Sequence, residues 1–197
     1  MADKEKFNIG DKIIYPTHGL GEVKEITKQV FGSQEIDFLV LSFEKDRMTI
    51  RIPISKVETS GLRKISTEKD LEEVISTIKE TPKLKRMMWS RRAAEYDEKI
   101  RSGNVVSLAE VVRDLNKKAN SENQSYSEAR IYEEALERLA DEYAAVHGIP
   151  SDEAEEKLEK IMAKSSKKSG EKDMSMEDEA LRKEIEALAD EIDDLDI

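Results

Sequence analysis

Cysteine is absent from this 197-residue chain, which removes disulfides, thiolate metal sites and cysteine nucleophiles and fits a cytosolic setting. No apolar run approaches the roughly 20 residues that a spanning helix needs, and the opening MADKEKFNIGDK carries no apolar stretch of the kind a signal peptide uses. Neither membrane insertion nor export is expected. Aromatics make up only 5% of the chain while charged residues make up 39%, so the cores must be small and much of the helix surface solvated.

Motifs that carry catalysis are missing as well. The two histidines, His18 and His147, are far apart and neither stands in a metal-ligand spacing such as HExxH. No GxxxxGK[ST], GxGxxG or GxSxG run is present, so phosphate cradles and nucleophile elbows have no support. Carboxylates are abundant, and in a chain this charged a pair of acids reads as a solvated helix face. No enzyme activity, cofactor or metal is expected.

What is present divides the chain in three. Residues 1–62 hold nine bases and ten acids, residues 63–163 hold eighteen and twenty-two, and residues 164–197 hold six and twelve, within a net charge of −11. In the first part, short β-branched and apolar runs at 12–15, 22–27, 37–43 and 48–53 alternate with turn-rich segments around Gly19 and Gly21, Phe31-Gly32-Ser33 and Glu44-Lys45-Asp46. Four or five short strands in so few residues predict a small SH3-like or Tudor-like β-barrel. Within RMTIRIP, Met48, Ile50 and Ile52 fall on one face, which turns Thr49 and Arg51 outward.

The second part is helical, so the chain is an α+β protein with a β domain followed by an all-α domain of about five helices. Ser66 or Thr67 can cap a helix carrying Leu71, Val74, Ile75 and Ile78, and Pro82 ends it near Thr81. Trp89, Ala93, Tyr96 and Ile100 recur at helical spacing up to Gly103. Ser107 to Glu110 and Ser125 to Glu128 read as capping boxes, the second opening a long helix that stops around Gly148 and Pro150, and Ser151 opens a last one. From Lys164 the stretch SSKKSGEKDMS is too polar to offset its ordering entropy and reads as a flexible linker. Beyond it, Leu181, Ile185, Leu188 and Ile192 stripe an acidic tail, which isolated would form only a marginal helix.

One stretch stands out against the acidic background. KLKRMMWSRR, residues 83–92, places Lys83, Lys85, Arg86, Arg91 and Arg92 around Trp89, the only tryptophan, with no acid among them. A local basic patch still attracts phosphates, because screening cuts off charges beyond about 8 to 10 Å. A lone Trp in a small helical domain is ordinarily a core anchor, and the spacing to Tyr96 supports that. Burial would also drag several cations toward low dielectric, which keeps partial exposure as the lesser alternative to a core anchor. An exposed Trp among cations serves either as a protein-interface hot spot or as an apolar group set against bases while Lys and Arg meet phosphates.

The segments GDKIIYPTHGLGEV, FLVLSFEKDRMTIRIP, WSRRAAEYDEKIRSG and LAEVVRDL, in this order and spacing, resemble the CarD/CdnL family of bacterial transcription regulators over about residues 7–162. The resemblance implies an N-terminal Tudor-like domain, shared with the transcription-repair coupling factor, that binds the β-subunit lobe of RNA polymerase. It implies a helical domain that meets promoter DNA at the upstream edge of the −10 element and stabilises the open complex, acting as a cytoplasmic, nucleoid-associated monomer. Trp89 matches the family's minor-groove wedge, and Arg91 and Arg92 the basic pair beside it. Lys83, Lys85 and Arg86 join the DNA-binding set on charge alone, and Arg130 joins it as the arginine that matches the family's step at the start of the fourth helix. Arg51 matches the outward arginine of the polymerase-binding strand, with Thr49 beside it, and Gln29 stands where some relatives carry a second polymerase-facing arginine. At 128–130 the chain reads Glu-Ala-Arg where relatives often show Glu-Lys-Arg. The alternative is a protein adaptor that uses Trp89 as a hot spot without touching DNA.

Overall fold

A computed structural model of the chain describes residues 7–31, 34–83, 86–119 and 125–164. The turn predicted at Gly32-Ser33, Lys85 of the basic stretch, and the linker and apolar stripe predicted beyond Lys164 lie outside the described residues.

The N-terminal part is the small antiparallel β domain expected. Its strands β1 (Lys12–Tyr15), β2 (Gly19–Phe31), β3 (Gln34–Phe43), β4 (Met48–Pro53) and β5 (Arg63–Lys64) form one sheet in the order β4-β3-β2-β1-β5. Period-2 alternation sends Ile13, Val23, Leu39, Leu41, Phe43 and Ile52 into one core, joined by Val57 and Leu62 from the segment of 3-10 turns after β4. A bulge between Val23 and Glu25 adds one residue to β2 and brings Ile26 opposite Leu39.

Two details differ from expectation. The sequence suggests a turn at Gly19 and Gly21, yet both are already paired with β1, and the turn is at 16–18. Gly21 is instead a close-approach residue: a Cβ there would lie 2.7 Å from the Phe43 ring, so only glycine lets that ring seal the core.

Five helices complete the described chain: α1 (Glu68–Lys79), α2 (Trp89–Arg101), α3 (Val105–Ala119), α4 (Tyr126–His147) and α5, residues 151–164. The Thr67–Asp70 and Ser125–Glu128 capping boxes open α1 and α4, and Gly148, in the left-handed region at φ 65°, closes α4. The box expected at Ser107 is absent. Helix α3 begins two residues earlier, where the Asn104 side chain accepts from the amides of Val106 (2.8 Å) and Ser107 (3.1 Å). The helices share one core that runs from Leu71 through Ile100, Val112, Leu115 and Leu139 to Leu158 and Met162.

The two parts are joined by polar contacts onto α4. Glu142, 0% exposed, receives a bidentate pair from Arg63 of β5 (2.6 and 2.8 Å) together with the Ser66 amide and hydroxyl (2.9 and 2.6 Å). Arg63 also donates to the Gly103 carbonyl at 2.6 Å. Arg138 grips the carbonyls of Pro16 (2.8 Å) and Thr17 (3.2 Å), and Lys45 reaches Asp141 (2.6 Å) and Glu137 (2.9 Å). Charged fork geometry of this kind fixes orientation as well as distance, so the sheet has a defined attitude to the bundle.

Candidate nucleic-acid and polymerase interfaces

The segment leading to Trp89 is held by the LAEVVRDL motif of α3. Its aliphatic residues face the core, while Arg113 and Asp114 form a buried pair at 2.8 Å. Asp114 accepts the Lys83 backbone amide at 2.9 Å, and Arg113 reaches Glu80, the residue that closes α1, at 3.0 Å. A buried Arg–Asp pair whose remaining hydrogen-bonding capacity is directed at one connector adds positional specificity to that connector. The stretch after α1 is thereby pinned at residues 80 and 83 before α2 starts at Trp89.

Trp89 is half-buried. Its ring lies 6.5 Å from Tyr96, tilted by 51°, and one side packs on the helical core. Its indole N–H donates to Ser127 Oγ at 3.0 Å, which ties the first turn of α2 to the first turn of α4. The Arg92 guanidinium lies 5.3 Å from the ring centroid and 3.5 Å from Glu128, and its Nε is buried without a hydrogen-bond partner. Met88, next to the indole in the chain, is 80% exposed, and Tyr126, next to its partner Ser127, is 86% exposed. On the core side of the indole, burial raises the Tyr96 phenol to about 12, with the Asp114 charge adding to it, so Tyr96 is a neutral packing partner.

The basic residues behave differently from one another. Arg86, Arg91 and Arg130 are exposed, and none has an ion pair among the described residues. Arg92 is partly engaged by Glu128, and Lys83, itself exposed, pairs at 2.8 Å with Glu80, an acid it shares with Arg113. The first turn of α2 has no acidic residue and no side-chain cap at Met88, and the amides of Arg91 and Arg92 bond back to Met88, leaving those of Trp89 and Ser90 outside the helical ladder. An uncapped helix start beside arginines is chemically suited to an oxyanion. Sequence reasoning missed Met88 and Tyr126 as exposed apolar groups and Ser127 as the partner of the indole. In the sequence, Tyr126 is visible only as the second residue of a capping box.

On the sheet, Arg51 pairs with Val40, Thr49 with Ser42 and Gln29 with Ile36. Because side chains alternate and the bulge lies before Glu25, these three residues share the face turned away from the Leu39–Leu41–Ile52 core. Arg51 and Thr49 are exposed on β4, an edge strand, and Gln29 is half-buried further out on β2. His18 stacks on Tyr15 and stands 3.3 Å from Asp46, His147 packs against Tyr143, and among the described residues no group of His, Asp and Glu could hold a metal ion. No described helix is long and apolar enough to cross a membrane.

A small antiparallel domain fixed to a helical bundle, with one exposed arginine-bearing sheet edge and one basic aromatic helix end, has the layout of a two-domain transcription regulator. Comparison with known proteins narrows the class. Residues 7–66 match the CarD-like/TRCF RID domain and residues 73–159 match the CarD C-terminal domain, in tandem. The chain belongs to the CarD/CdnL family of transcription regulators. It is similar to YdeB, a candidate transcription factor of Bacillus subtilis (strain 168), at 29% identity over 143 residues, covering 73% of this chain and 94% of that protein. It also matches the solution structure of the 72-residue N-terminal domain of Myxococcus xanthus CarD, with 29% identity, a TM-score of 0.27, and coverage of 30% of this chain and 79% of that one.

Proposed function

We propose that this protein docks on the β-subunit lobe of RNA polymerase through the β4 edge and sets Trp89 against the minor groove of promoter DNA where the strands separate. The observation that carries the reading is the partly exposed indole, held by Ser127, with exposed Met88 and Arg91 on its own segment and exposed Tyr126 and Arg130 on the helix that carries Ser127. A ring that is tied down on one edge and open on the other is a preformed wedge.

The chemistry divides between grip and wedge. Arg91, Arg86, Arg130 and the free amides at the start of α2 meet phosphates, which positions the domain without reading sequence. Unstacking a base step costs a few kcal/mol, so an indole that fits only the opened step favours the melted state. With about three phosphates neutralised by these arginines, DNA affinity falls with salt at a log-log slope near −3. A patch this small on an acidic body gives little affinity alone, so polymerase supplies the address: Arg51 pairs with an acidic group on the lobe, and Thr49 and Gln29 flank it. The protein works as a cytoplasmic monomer in this reading, and the polar lock between sheet and α4 sets the span from lobe to junction.

The test is a footprint of the polymerase–promoter complex with the wild type and Trp89→Ala. Protection at the upstream edge of the bubble is expected with the wild type and lost in the variant. Equal protection by both would remove Trp89 from the junction.

A further inference from the structure

The end of the bundle that carries Trp89 is also the end toward which the described part of α5 runs, up to Lys164. The connection from α4 to α5 is only residues 148–150, which forces the two helices to lie antiparallel. The register between them is readable from side chains. Ser151 donates to Asp141 at 2.6 Å. One turn on, the Glu155 carboxyl is raised by burial and then by the charges of Glu159, Asp152 and Glu137, so it faces the middle of α4. Further on, Tyr132 is raised to about 12 by burial and then by Glu159 and Glu155, and Leu158 and Met162 enter the shared core. At 1.5 Å per residue, thirteen residues back along α4 from Asp141 and thirteen along α5 from Ser151 both cover about 20 Å. Lys164 therefore lies level with Glu128 and Ser127 along the bundle axis.

The chain beyond Lys164 has the complementary chemistry. Residues 177–197 contain ten acids and two bases, with Leu181, Ile185, Leu188 and Ile192 among them. The first turns of α2 and α4, tied together by the Trp89–Ser127 bond, and the segment before α2 offer Arg86, Arg91 and Arg130, exposed and without ion pairs among the described residues, together with the exposed Met88 and Tyr126. The thirteen residues from Lys164 to Glu177 reach at most about 45 Å, enough to cross the end of a bundle whose neighbouring helices stand about 8 to 10 Å apart. Tethering so close gives an effective concentration on the order of millimolar, enough for weak contacts to compete.

We propose that the Trp89 face is the docking surface of this chain's own acidic segment, residues 177–197, which occupies it in place of DNA phosphates and bases. Acidic side chains meet Arg86, Arg91 and Arg130, and the aliphatic ones cover Met88 and Tyr126. DNA and the segment then exclude each other, so free protein has its wedge covered and the protein held at a promoter by polymerase has it released. The DNA part rests on the proposed function; the docking itself does not.

Because Trp89 is the only tryptophan, its indole N–H gives a single signal in the amide-region NMR spectrum of the full chain. The experiment compares the full chain with a full-length variant carrying D190N, E191Q, D193N, D194N and E184Q. At low salt the indole signal is expected to differ between the two, and added salt should move the wild-type signal toward the variant's. A forked duplex is expected to bind the variant about tenfold more tightly at low salt and equally at high salt. An indole signal identical in both proteins from low to high salt would overturn the docking. A signal difference that vanished on dilution would place the segment on a second copy and overturn the intramolecular assignment. A persistent signal difference with no DNA binding by either protein would support the docking and sink the DNA reading instead.

Discussion

Replacing Glu142 by alanine tests the lock between the sheet and the bundle. Its carboxylate is fully buried and accepts four hydrogen bonds, two of them from Arg63 and two from Ser66. Truncation strands the Arg63 guanidinium, which keeps only its bonds to the Gly103 and Lys64 carbonyls and a long contact to Ser66, and it leaves a void under α4. Breaking one side of a buried pair costs about 3 to 5 kcal/mol, a large share of the roughly 5 to 15 kcal/mol that holds a typical domain. The double variant Arg63→Met, Glu142→Leu removes both charges together and is expected to recover most of that loss. Urea unfolding of the wild type, both single variants and the double variant closes the cycle, with a coupling energy of about 2 kcal/mol or more expected. A cost below about 1 kcal/mol for Glu142→Ala, the range of an exposed ion pair, would refute the claim that this contact sets the domain orientation.

Other outcomes rest on single contacts. Gly21→Ala forces a methyl to within 2.7 Å of the Phe43 ring and should cost about 1 to 3 kcal/mol, read as a lower urea midpoint with unchanged slope. Arg51→Glu, on the exposed β4 edge, should weaken binding to polymerase by about 2 to 5 kcal/mol in a titration with the β lobe, while leaving the urea midpoint in place. Tyr96 and Tyr132 are both raised to about 12, largely by burial, against about 10 in an unfolded chain. Above pH 10 the unfolded chain releases these protons while the folded chain keeps them, so stability should decline from pH about 10 toward about 12, and Tyr132→Phe should flatten part of that decline.

Some of this is open to sequence reasoning because a single local rule decides it. The alternation in RMTIRIP determines which side chains of β4 face the core, and the Thr67 and Ser125 caps mark where α1 and α4 begin. Where two local rules compete, the pattern misleads. Ser107 and Glu110 have the capping-box spacing, but Asn104, directly after Gly103, captures the amides first and starts α3 earlier. Gly21 reads as turn punctuation although its reason is the ring of Phe43, which arrives from another strand. Glu142, in ADEYAAV, is indistinguishable by composition from a solvated helix carboxylate, and only the arrival of β5 makes it the buried partner of Arg63. Charge density alone likewise cannot separate Lys83, paired with Glu80, from Arg91, equally exposed and without an ion pair among the described residues.

The most direct test of the wedge is the lifetime of the polymerase–promoter open complex after a competitor traps released polymerase. Stacking of one base on an aromatic is worth about 1 to 3 kcal/mol, so Trp89→Ala should shorten that lifetime by about tenfold while co-purification with polymerase is unchanged. An open complex that lives as long with Trp89→Ala as with the wild type would contradict the account.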